Sequence, residues 1–366
     1  MPWTRSRETG MSNVQCGMEL IKEMNEPLLE VKKLSVAFGF GKDGKAAKGK
    51  SIVQVTDKVS FHIDEGEFFA LVGESGSGKS VTSMGILRLL PTPSAKVVEG
   101  SVLLRMPDGT SLDLTKLSLD EMRKIRGSEI ACIFQEPMQA LNPVLNIKKQ
   151  LLEALRRQKL DQKAALETIV SQLKEAGFTD PTRVLESYPH ELSGGMLQRI
   201  CIVMALLQKP RLIIADEPTT ALDVTVQAQV LAVLKELAKN SGTAVLLITH
   251  NMGIVSQYAQ RIAVMYAGRI VETGDVDEVI GSPMHPYTRG LLAAIPESRG
   301  DIGTLRCIPG QMPHARDFVA GCRFADRCEL LACEGGDPEQ STCQSKKIPP
   351  CVQVGSHQAF CFKAKP

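Results

Sequence analysis

The chain has 366 residues, of which 43% are hydrophobic, and this length can form about two or three domains with a sizeable core. Its 43 basic and 41 acidic residues give a net charge of +2, which provides no electrostatic reason to expect nucleic acid as the main ligand. Residues 1–25 lack the apolar core of a signal peptide, and no later stretch reaches the ~20 apolar residues needed to cross a bilayer. We therefore expect a cytosolic protein that is held at a membrane only through partners.

A small β-subdomain is predicted near the start of the chain. Residues 1–26 are polar and show no periodicity, so we expect an ordered fold from about residue 27. Residues 28–38 and 52–63 alternate between apolar and polar side chains, which predicts two antiparallel strands. Phe38, at the end of the first strand, is a candidate ring for stacking on a nucleotide base. An ordinary half-buried phenylalanine is the alternative.

A phosphate-binding loop is predicted after the apolar run of residues 69–72. Glycines allow a tight turn that points backbone N–H groups at an anion, and the helix that follows presents its positive end. The spacing from Gly73 to Lys79 and Ser80 fits the nucleoside-triphosphate pattern, in which lysine reaches the β- and γ-phosphates and the serine hydroxyl binds Mg²⁺. A flexible glycine-serine turn is the alternative for this stretch alone. The predicted ATP-binding residues here are Gly73, Glu74, Ser75, Gly76, Ser77, Gly78, Lys79, Ser80 and Val81.

Three further apolar runs, each typical of a buried strand, end in polar side chains. In doubly wound sheets the carboxyl ends of strands open onto the nucleotide. Gln135 could bind Mg²⁺ or the attacking water through its amide oxygen, and Asp216 could reach Mg²⁺ through water. Glu217 is placed to polarise a water towards the γ-phosphate, and His250 to contact that phosphate. Acidic pairs and single histidines at strand ends are also common as solvated or structural residues.

A Ser-Gly-Gly turn at Ser193 opens an amphipathic helix predicted over residues 197–208. It supplies a second helix N-terminus whose free N–H groups could bind phosphate. An ordinary helix cap is the alternative. A further turn, ending at Asp223, precedes the helix predicted over residues 224–239.

Together these motifs resemble the ATPase subunit of an ATP-binding-cassette (ABC) transporter, over about residues 28–285. The resemblance implies ATP and Mg²⁺ as cofactors, with the signature of one cassette covering the ATP of a second. Phe38 takes the A-loop position, which is usually Tyr. The other matches are Lys79 and Ser80 (Walker A), Gln135 (Q-loop), Ser193, Gly194, Gly195 and Met196 (signature), Asp216 and Glu217 (Walker B), Asp223 (D-loop) and His250 (H-switch).

The resemblance implies an α/β fold, an ABC-type P-loop nucleotide-binding domain. Such a domain has an antiparallel β-subdomain, a mixed core sheet with flanking helices, and a helical subdomain. We expect a polar tail at residues 1–26, the ATPase domain at 27–284 with its helical subdomain at about 137–205, and a small Cys-rich C-terminal extension at 285–366.

The segment HPYTRGLL at residues 285–292 resembles the C-terminal extension of oligopeptide, dipeptide and nickel importers, and IFQEPMQALNP and LSGGMLQR resemble their D-type subunit. This implies an ATPase that powers peptide import at the cytoplasmic face of the inner membrane. The implied partners are two permeases, touched by residues 138–145, and an F-type ATPase in a heterodimer, with a homodimer as the alternative. An extracytoplasmic solute-binding protein would act indirectly, and no nucleic acid is implied. Import of nickel or another small solute, and a non-transport ABC ATPase, are the alternative functions.

Cysteines crowd residues 307–361, and in a reducing cytosol this favours a metal or iron–sulfur site over disulfides. Their spacing resembles a set that holds a [4Fe–4S] cluster in several D-type subunits, although Glu329 stands where that family more often has proline. Zinc, or free or disulfide-bonded cysteines, are the alternatives. The matching ligands are Cys322, Cys328, Cys333 and Cys361, with Cys343 and Cys351 as further candidates.

Overall fold

The computed structural model describes residues 26–49, 51–220, 222–295, 307–332 and 342–364, and the tail expected at residues 1–26 therefore lies almost wholly outside the described residues. The strands are β1 (Leu29–Phe38), β2 (Val53–Ile63), β3 (Phe68–Val72), β4 (Ala95–Arg105), β5 (Ser111–Asp113), β6 (Ile130–Ile133), β7 (Leu212–Asp216), β8 (Ala244–Thr249), β9 (Arg261–Tyr266), β10 (Arg269–Asp275), β11 (Cys351–Val354) and β12 (His357–Phe360). The helices are α1 (Lys79–Leu87), α2 (Leu119–Ile125), α3 (Pro137–Ala140), α4 (Ile147–Leu155), α5 (Gln162–Glu175), α6 (Pro181–Glu186), α7 (Gly194–Leu206), α8 (Val224–Ser241), α9 (Met252–Tyr258), α10 (Val276–Gly281), α11 (Pro286–Ala293) and α12 (Glu329–Ala332).

The predicted β-subdomain is a four-stranded antiparallel sheet with the strand order β2-β1-β4-β5. Its central strand β1 buries Leu29, Val31 and Leu34, as the alternation of its sequence indicates. β1 pairs with β2 in a register that sets Val36 opposite Thr56. The two strands predicted at the start of the fold are therefore confirmed.

A larger sheet of eight strands, ordered β11-β12-β10-β9-β3-β8-β7-β6, forms the centre of the molecule. Strands β6, β7, β8, β3 and β9 are parallel to one another. All five residues of β3 and all six of β8 are buried, because both faces of the sheet are covered. The carboxyl ends of β3, β6, β7 and β8 consequently lie along one edge of the sheet.

The two faces of this sheet pack against different layers. Along β7, Ile213 and Ala215 join a core formed with α4 to α8, whereas Leu212 and Ile214 join a core formed with β1, β2, β4 and α1. Each buried core gains free energy from apolar area removed from water. No described helix combines the length and apolar character needed to cross a bilayer.

The described part of the expected C-terminal extension joins the main sheet. β12 pairs antiparallel with β10, with Ala359 opposite Glu272. The Glu272 side chain is fully buried and accepts hydrogen bonds from the backbone N–H groups of Met284 (2.6 Å) and His285 (3.1 Å). Its Oε1 also lies 2.7 Å from Nε2 of His357. The extension is therefore anchored to the main sheet by backbone pairing and by a buried carboxylate.

His285 lies directly before α11 and is buried and uncharged. Its Nδ1 accepts a hydrogen bond from the backbone N–H of Tyr287 at 3.0 Å, so the ring serves as the helix cap. Burial lowers the pKa of His285 to about 3, with a smaller contribution from the charge of Arg289. Protonation of Nδ1 would also remove the acceptor of the cap.

We expect stability to fall as the pH drops from 6.5 towards 3, because the unfolded chain binds a proton that folded His285 does not. The amide oxygen of Asn can still cap the helix in His285→Asn. In this variant the decrease in the free energy of unfolding from pH 6.5 to 5.5 should be smaller by about 1 kcal/mol than in the wild type. Urea unfolding at the two pH values measures this. His314→Asn, at an exposed position, is the control and should lose as much stability between the two pH values as the wild type does. If His285→Asn also loses as much as the wild type, the prediction is wrong.

Candidate active site

The predicted phosphate-binding loop connects β3 to α1. Gly76 and Gly78 have φ angles of +82° and +108°, which residues with a Cβ rarely adopt. At Gly73 a Cβ would lie 2.1 Å from the carbonyl oxygen of Met265, so the backbone there passes too close to β9 for any side chain. The glycines therefore produce a tight loop at the end of a buried strand and directly before a helix N-terminus, which is the geometry that binds phosphate.

Lys79 is almost fully buried, with 4% of its side chain exposed. Its Nζ donates hydrogen bonds to the carbonyl oxygens of Gly73 (2.8 Å) and Glu74 (3.1 Å) and lies 3.7 Å from Oε1 of Glu217. Burial lowers the pKa of Lys79, and the charges of Glu217 and Asp216 oppose this effect. The loop thus holds an ammonium group in a partly desolvated position, where its attraction to a phosphate is strong.

Asp216 ends β7 and faces two hydroxyl groups of α1. Its Oδ1 accepts a hydrogen bond from Ser80 at 3.0 Å and its Oδ2 accepts one from Ser83 at 3.3 Å. Burial raises the pKa of Asp216, while the two serine hydrogen bonds act in the opposite direction. A carboxylate beside a serine hydroxyl supplies the oxygen donors that Mg²⁺ prefers. Gln135 is exposed beyond the carboxyl end of β6, on the same edge of the sheet.

Glu217 adopts a left-handed backbone conformation with a φ of +46°, which is uncommon for a residue with a side chain. Its backbone N–H donates to the carbonyl of Ile248 in β8 at 2.9 Å. Its Oε2 accepts a hydrogen bond from Thr220 at 3.0 Å, and its Oε1 lies 3.5 Å from Nδ1 of His250. The turn after β7 therefore directs this carboxylate towards the phosphate-binding loop and towards the exposed histidine.

The Ser-Gly-Gly turn lies against the segment that contains Asp223. Ser193 is exposed and caps α7, where its Oγ accepts a hydrogen bond from the N–H of Met196 at 3.4 Å. A Cβ at Gly195 would lie 2.4 Å from Cγ1 of Val226, and one at Gly194 would lie 3.2 Å from Cδ2 of Leu222. Both glycines therefore allow close contact between α7 and the residues around the start of α8.

Asp223 is exposed and caps α8. Its Oδ1 accepts a hydrogen bond from the backbone N–H of Val226 at 2.9 Å. Since Val226 also lies against Gly195, the predicted D-loop and the predicted signature form one surface region.

The structure brings Lys79, Ser80, Asp216, Glu217 and His250 together, as their positions at strand ends predict. Phe38 is half-buried at the end of β1. Within the described ranges, no hydrogen bond or ion pair links the exposed Ser193 to this group. Contacts that the sequence did not indicate come from Ser83, Thr220, Tyr287 and Arg327, to none of which the sequence assigned a role at this site.

The cysteine segment is only partly described, because Cys333 lies outside the described residues. Burial raises the pKa of Cys322 to about 12, with smaller contributions from Cys343, Cys361 and Cys328. No group of three or more His, Cys, Asp or Glu side chains in the described residues is arranged to hold a metal ion. The predicted [4Fe–4S] cluster therefore receives no support from these residues.

Comparison with known proteins identifies the family. A family model named ABC transporter matches residues 56–220, and one named oligopeptide/dipeptide transporter, C-terminal region, matches residues 271–332. The dipeptide transport ATP-binding protein DppD of Bacillus subtilis is 46% identical over 341 residues, which cover 92% of this chain and 95% of that protein. The chain belongs to the ABC transporter ATP-binding family. The oligopeptide transport ATP-binding protein AppD of the same organism is 46% identical over 302 residues, covering 82% of this chain and 88% of AppD.

Solved ABC structures support the same assignment. An ATP-binding cassette determined as a dimer in a post-hydrolysis state with ADP and Pi has a TM-score of 0.56 and 27% identity, and the match covers 68% of this chain and 98% of that one. A component of an ABC transporter complex from Clostridium perfringens has a TM-score of 0.58 and 25% identity, with 70% and 92% covered. The resemblance to an ABC transporter ATPase is thus confirmed, and the chain belongs to a family of ATPases.

Gly195→Ala should lower the stability of the fold by about 1–3 kcal/mol, because its Cβ would collide with Val226 across a packed interface. Thermal unfolding of the purified chain measures the effect. Gly281→Ala is the matched control, since nothing lies within 4 Å of a Cβ built there. Equal stability of the two variants would show that the contact between α7 and α8 tolerates a side chain at this position.

Proposed function

We propose that this chain binds and hydrolyses ATP to power the uptake of peptides through membrane permeases. The match of residues 271–332 to the C-terminal region of oligopeptide and dipeptide transporters is the observation that carries this proposal. Relatives named as dipeptide and oligopeptide transport ATP-binding proteins align over most of their length, which supports it further.

In the proposed reaction, the loop N–H groups and Lys79 hold the phosphates of ATP, while Phe38 stacks on the base. Ser80, Asp216 and Gln135 would hold Mg²⁺, which would supply positive charge beside the phosphates. Glu217 accepts a proton from the water that attacks the γ-phosphorus, and His250 contacts that phosphate. The 3.5 Å separation of Glu217 Oε1 and His250 Nδ1 supports a shared task for these two residues.

A second cassette completes each ATP site in this proposal. Ser193 and Gly194 are exposed at the N-terminus of α7, where free N–H groups can bind the phosphates of a partner's ATP. Next to them, 82% of the surface of Val224 is exposed, which is unusual for an apolar residue and favours burial at an interface. The partner is an F-type ATPase, with a homodimer as the alternative.

The permeases are proposed to dock at a groove between β6 and the helices α4 and α7. This groove has a volume of about 470 Å³ and is lined by Phe134, Ala154 and Met204, among other residues. The segment that follows Gln135 exposes Met138 and Val144, the latter to 76%. A short permease segment with apolar side chains would cover these groups, and its position beside Gln135 would link permease movement to the ATP site. Two permeases would hold the chain at the cytoplasmic face of the inner membrane, with a solute-binding protein on the other side.

Glu217→Gln should reduce ATP turnover by about 10²–10⁴-fold and leave ATP binding nearly unchanged, because the amide keeps the shape but cannot accept the proton. ATP hydrolysis by the assembled transporter and nucleotide binding, measured side by side, test this. Glu99→Gln, at an exposed position in β4, should behave as the wild type. Unchanged turnover in Glu217→Gln would remove the proposed role of this residue.

Uptake of labelled peptides by cells that produce the wild-type chain or Glu217→Gln tests the substrate. Uptake of di- or oligopeptides that depends on Glu217 would support peptide import. Glu217-dependent uptake of nickel alone would replace peptide as the substrate and leave the ATPase assignment intact.

We also propose that Cys322, Cys328, Cys333 and Cys361 hold a [4Fe–4S] cluster. The close spacing of Cys322, Cys328 and Cys333 in the sequence, with Cys361 as a more distant ligand, supports this proposal because such a cluster needs four thiolates. The cluster would tie down an extension whose own core is small.

Protein purified without oxygen should be brown and contain about four irons per chain. Cys328→Ser should lose the iron, whereas Cys351→Ser, at an exposed position, should keep it. Iron and sulfide analysis with an absorbance spectrum gives the answer. A colourless protein without iron would contradict the cluster, and bound zinc would identify the site as a zinc knot.

A further inference from the structure

Glu74 in the phosphate-binding loop forms an ion pair with Arg327 in the C-terminal extension. Arg327 Nη1 donates to Oε2 of Glu74 at 2.7 Å and Nη2 donates to Oε1 at 3.0 Å, so the guanidinium binds both carboxylate oxygens. Only 7% of the Arg327 side chain is exposed. Bidentate pairs of this kind fix the relative orientation of both groups as well as stabilising them.

Arg327 is itself held rigidly by the extension and by β9. Its Nε donates to the carbonyl oxygen of Pro309 at 2.7 Å, and its Nη1 lies 3.4 Å from the hydroxyl of Tyr266. The rings of Tyr266, Tyr287 and Phe324 pack together with centroid distances of 4.7–5.4 Å. The cation therefore approaches Glu74 from a fixed direction, and the loop cannot shift without breaking this contact.

The backbone of Glu74 is held as well. Its N–H donates to the hydroxyl of the fully buried Tyr287 at 2.9 Å, and its carbonyl oxygen accepts a hydrogen bond from Nζ of Lys79 at 3.1 Å. Residue 74 is thus fixed at its amide, its carbonyl and its carboxylate. Two of these three contacts come from residues C-terminal to the ATP-binding core.

Arg327 also acts through its charge. The carboxylate of Glu74 lies in a loop that must accept a triphosphate, and an unpaired carboxylate at that position repels the ligand. Pairing with Arg327 cancels this negative charge, and the Glu74 hydrogen bond is the largest cause of the raised pKa of Arg327.

We propose that Arg327 is a positioning residue for ATP binding, through which the C-terminal extension sets the nucleotide affinity of the phosphate-binding loop. Arg327 does not touch the nucleotide. It holds Glu74 in place and neutralises it, and Tyr287 supports the same residue from the backbone. We rest this inference on ATP binding alone, so its outcome is independent of whether peptides are the transported substrate.

The test compares KM for ATP with kcat in the assembled transporter. Arg327→Met should raise KM roughly tenfold with little change in kcat, since it leaves the Glu74 carboxylate unpaired beside the phosphates. The double variant Glu74→Gln with Arg327→Met should bring KM back towards the wild type, because the repelling charge is gone. Arg323→Met is the matched control, since Arg323 is a largely buried arginine of the same extension that pairs with Asp57 instead of the loop. The KM of this variant should equal that of the wild type.

Other results overturn the proposal. An unchanged KM in Arg327→Met, or a raised KM that Glu74→Gln does not lower, would show that Arg327 only stabilises the fold. A KM raised equally in Arg323→Met would lead to the same conclusion. If Arg327→Met does not fold, the KM of Tyr287→Phe tests the proposal instead. This variant removes only the hydroxyl that accepts a hydrogen bond from the backbone N–H of Glu74. A severalfold higher KM in Tyr287→Phe supports the control of the loop by the extension, and an unchanged KM refutes it.

Discussion

The site depends on a buried ammonium group next to two carboxylates. Burial disfavours the charge of Lys79 and also that of Asp216. Glu217 is the main group that offsets this for Lys79, and the hydroxyls of Ser80 and Ser83 are the main ones for Asp216. The main sheet makes this possible, since β3 ends just before the loop of Lys79 and β7 ends at Asp216. Hydrogen bonds from the hydroxyls of α1 then complete the surroundings of the carboxylate. The fold thus positions these charged groups close together where a metal-bound triphosphate would bind.

Local sequence patterns were sufficient for the parts of the site that follow directly from strands and turns. The apolar runs that precede Gly73 and the acidic pair at the end of β7 predicted the positions of these residues, because strands that are buried on both faces lack polar residues until they end. The pair of Glu74 and Arg327 could not be predicted, since 253 residues separate its members and no periodicity relates them. The left-handed backbone of Glu217 was also hidden, because it arises from the path between β7 and β8 and not from the residue type.

At Ser193 and Asp223, a structural role as a helix cap is compatible with the proposed role at an interface. Ser193 was open to explanation as an ordinary helix cap, and it does cap α7 by accepting a backbone hydrogen bond. Asp223, which ends a predicted turn, caps α8 in the same way. Each also lies exposed on the surface where α7 meets the start of α8. A capping side chain fixes the first turn of its helix, and the same turn is where free N–H groups are found. The cap therefore prepares the surface that a partner cassette would use.

The contribution of β12 to the main sheet has a consequence for how the protein is made. β12 pairs with β10, although 85 residues separate Glu272 in β10 from His357 in β12, whose ring contacts its carboxylate. When β10 has been synthesised and β12 has not, the nascent chain exposes the edge of β10 that will later pair with β12. The N–H and C=O groups of this edge have no partner yet, and such edges readily pair with other chains. Until β12 emerges, the nascent chain carries an open sheet edge, and association with a neighbouring nascent chain is favoured at this edge.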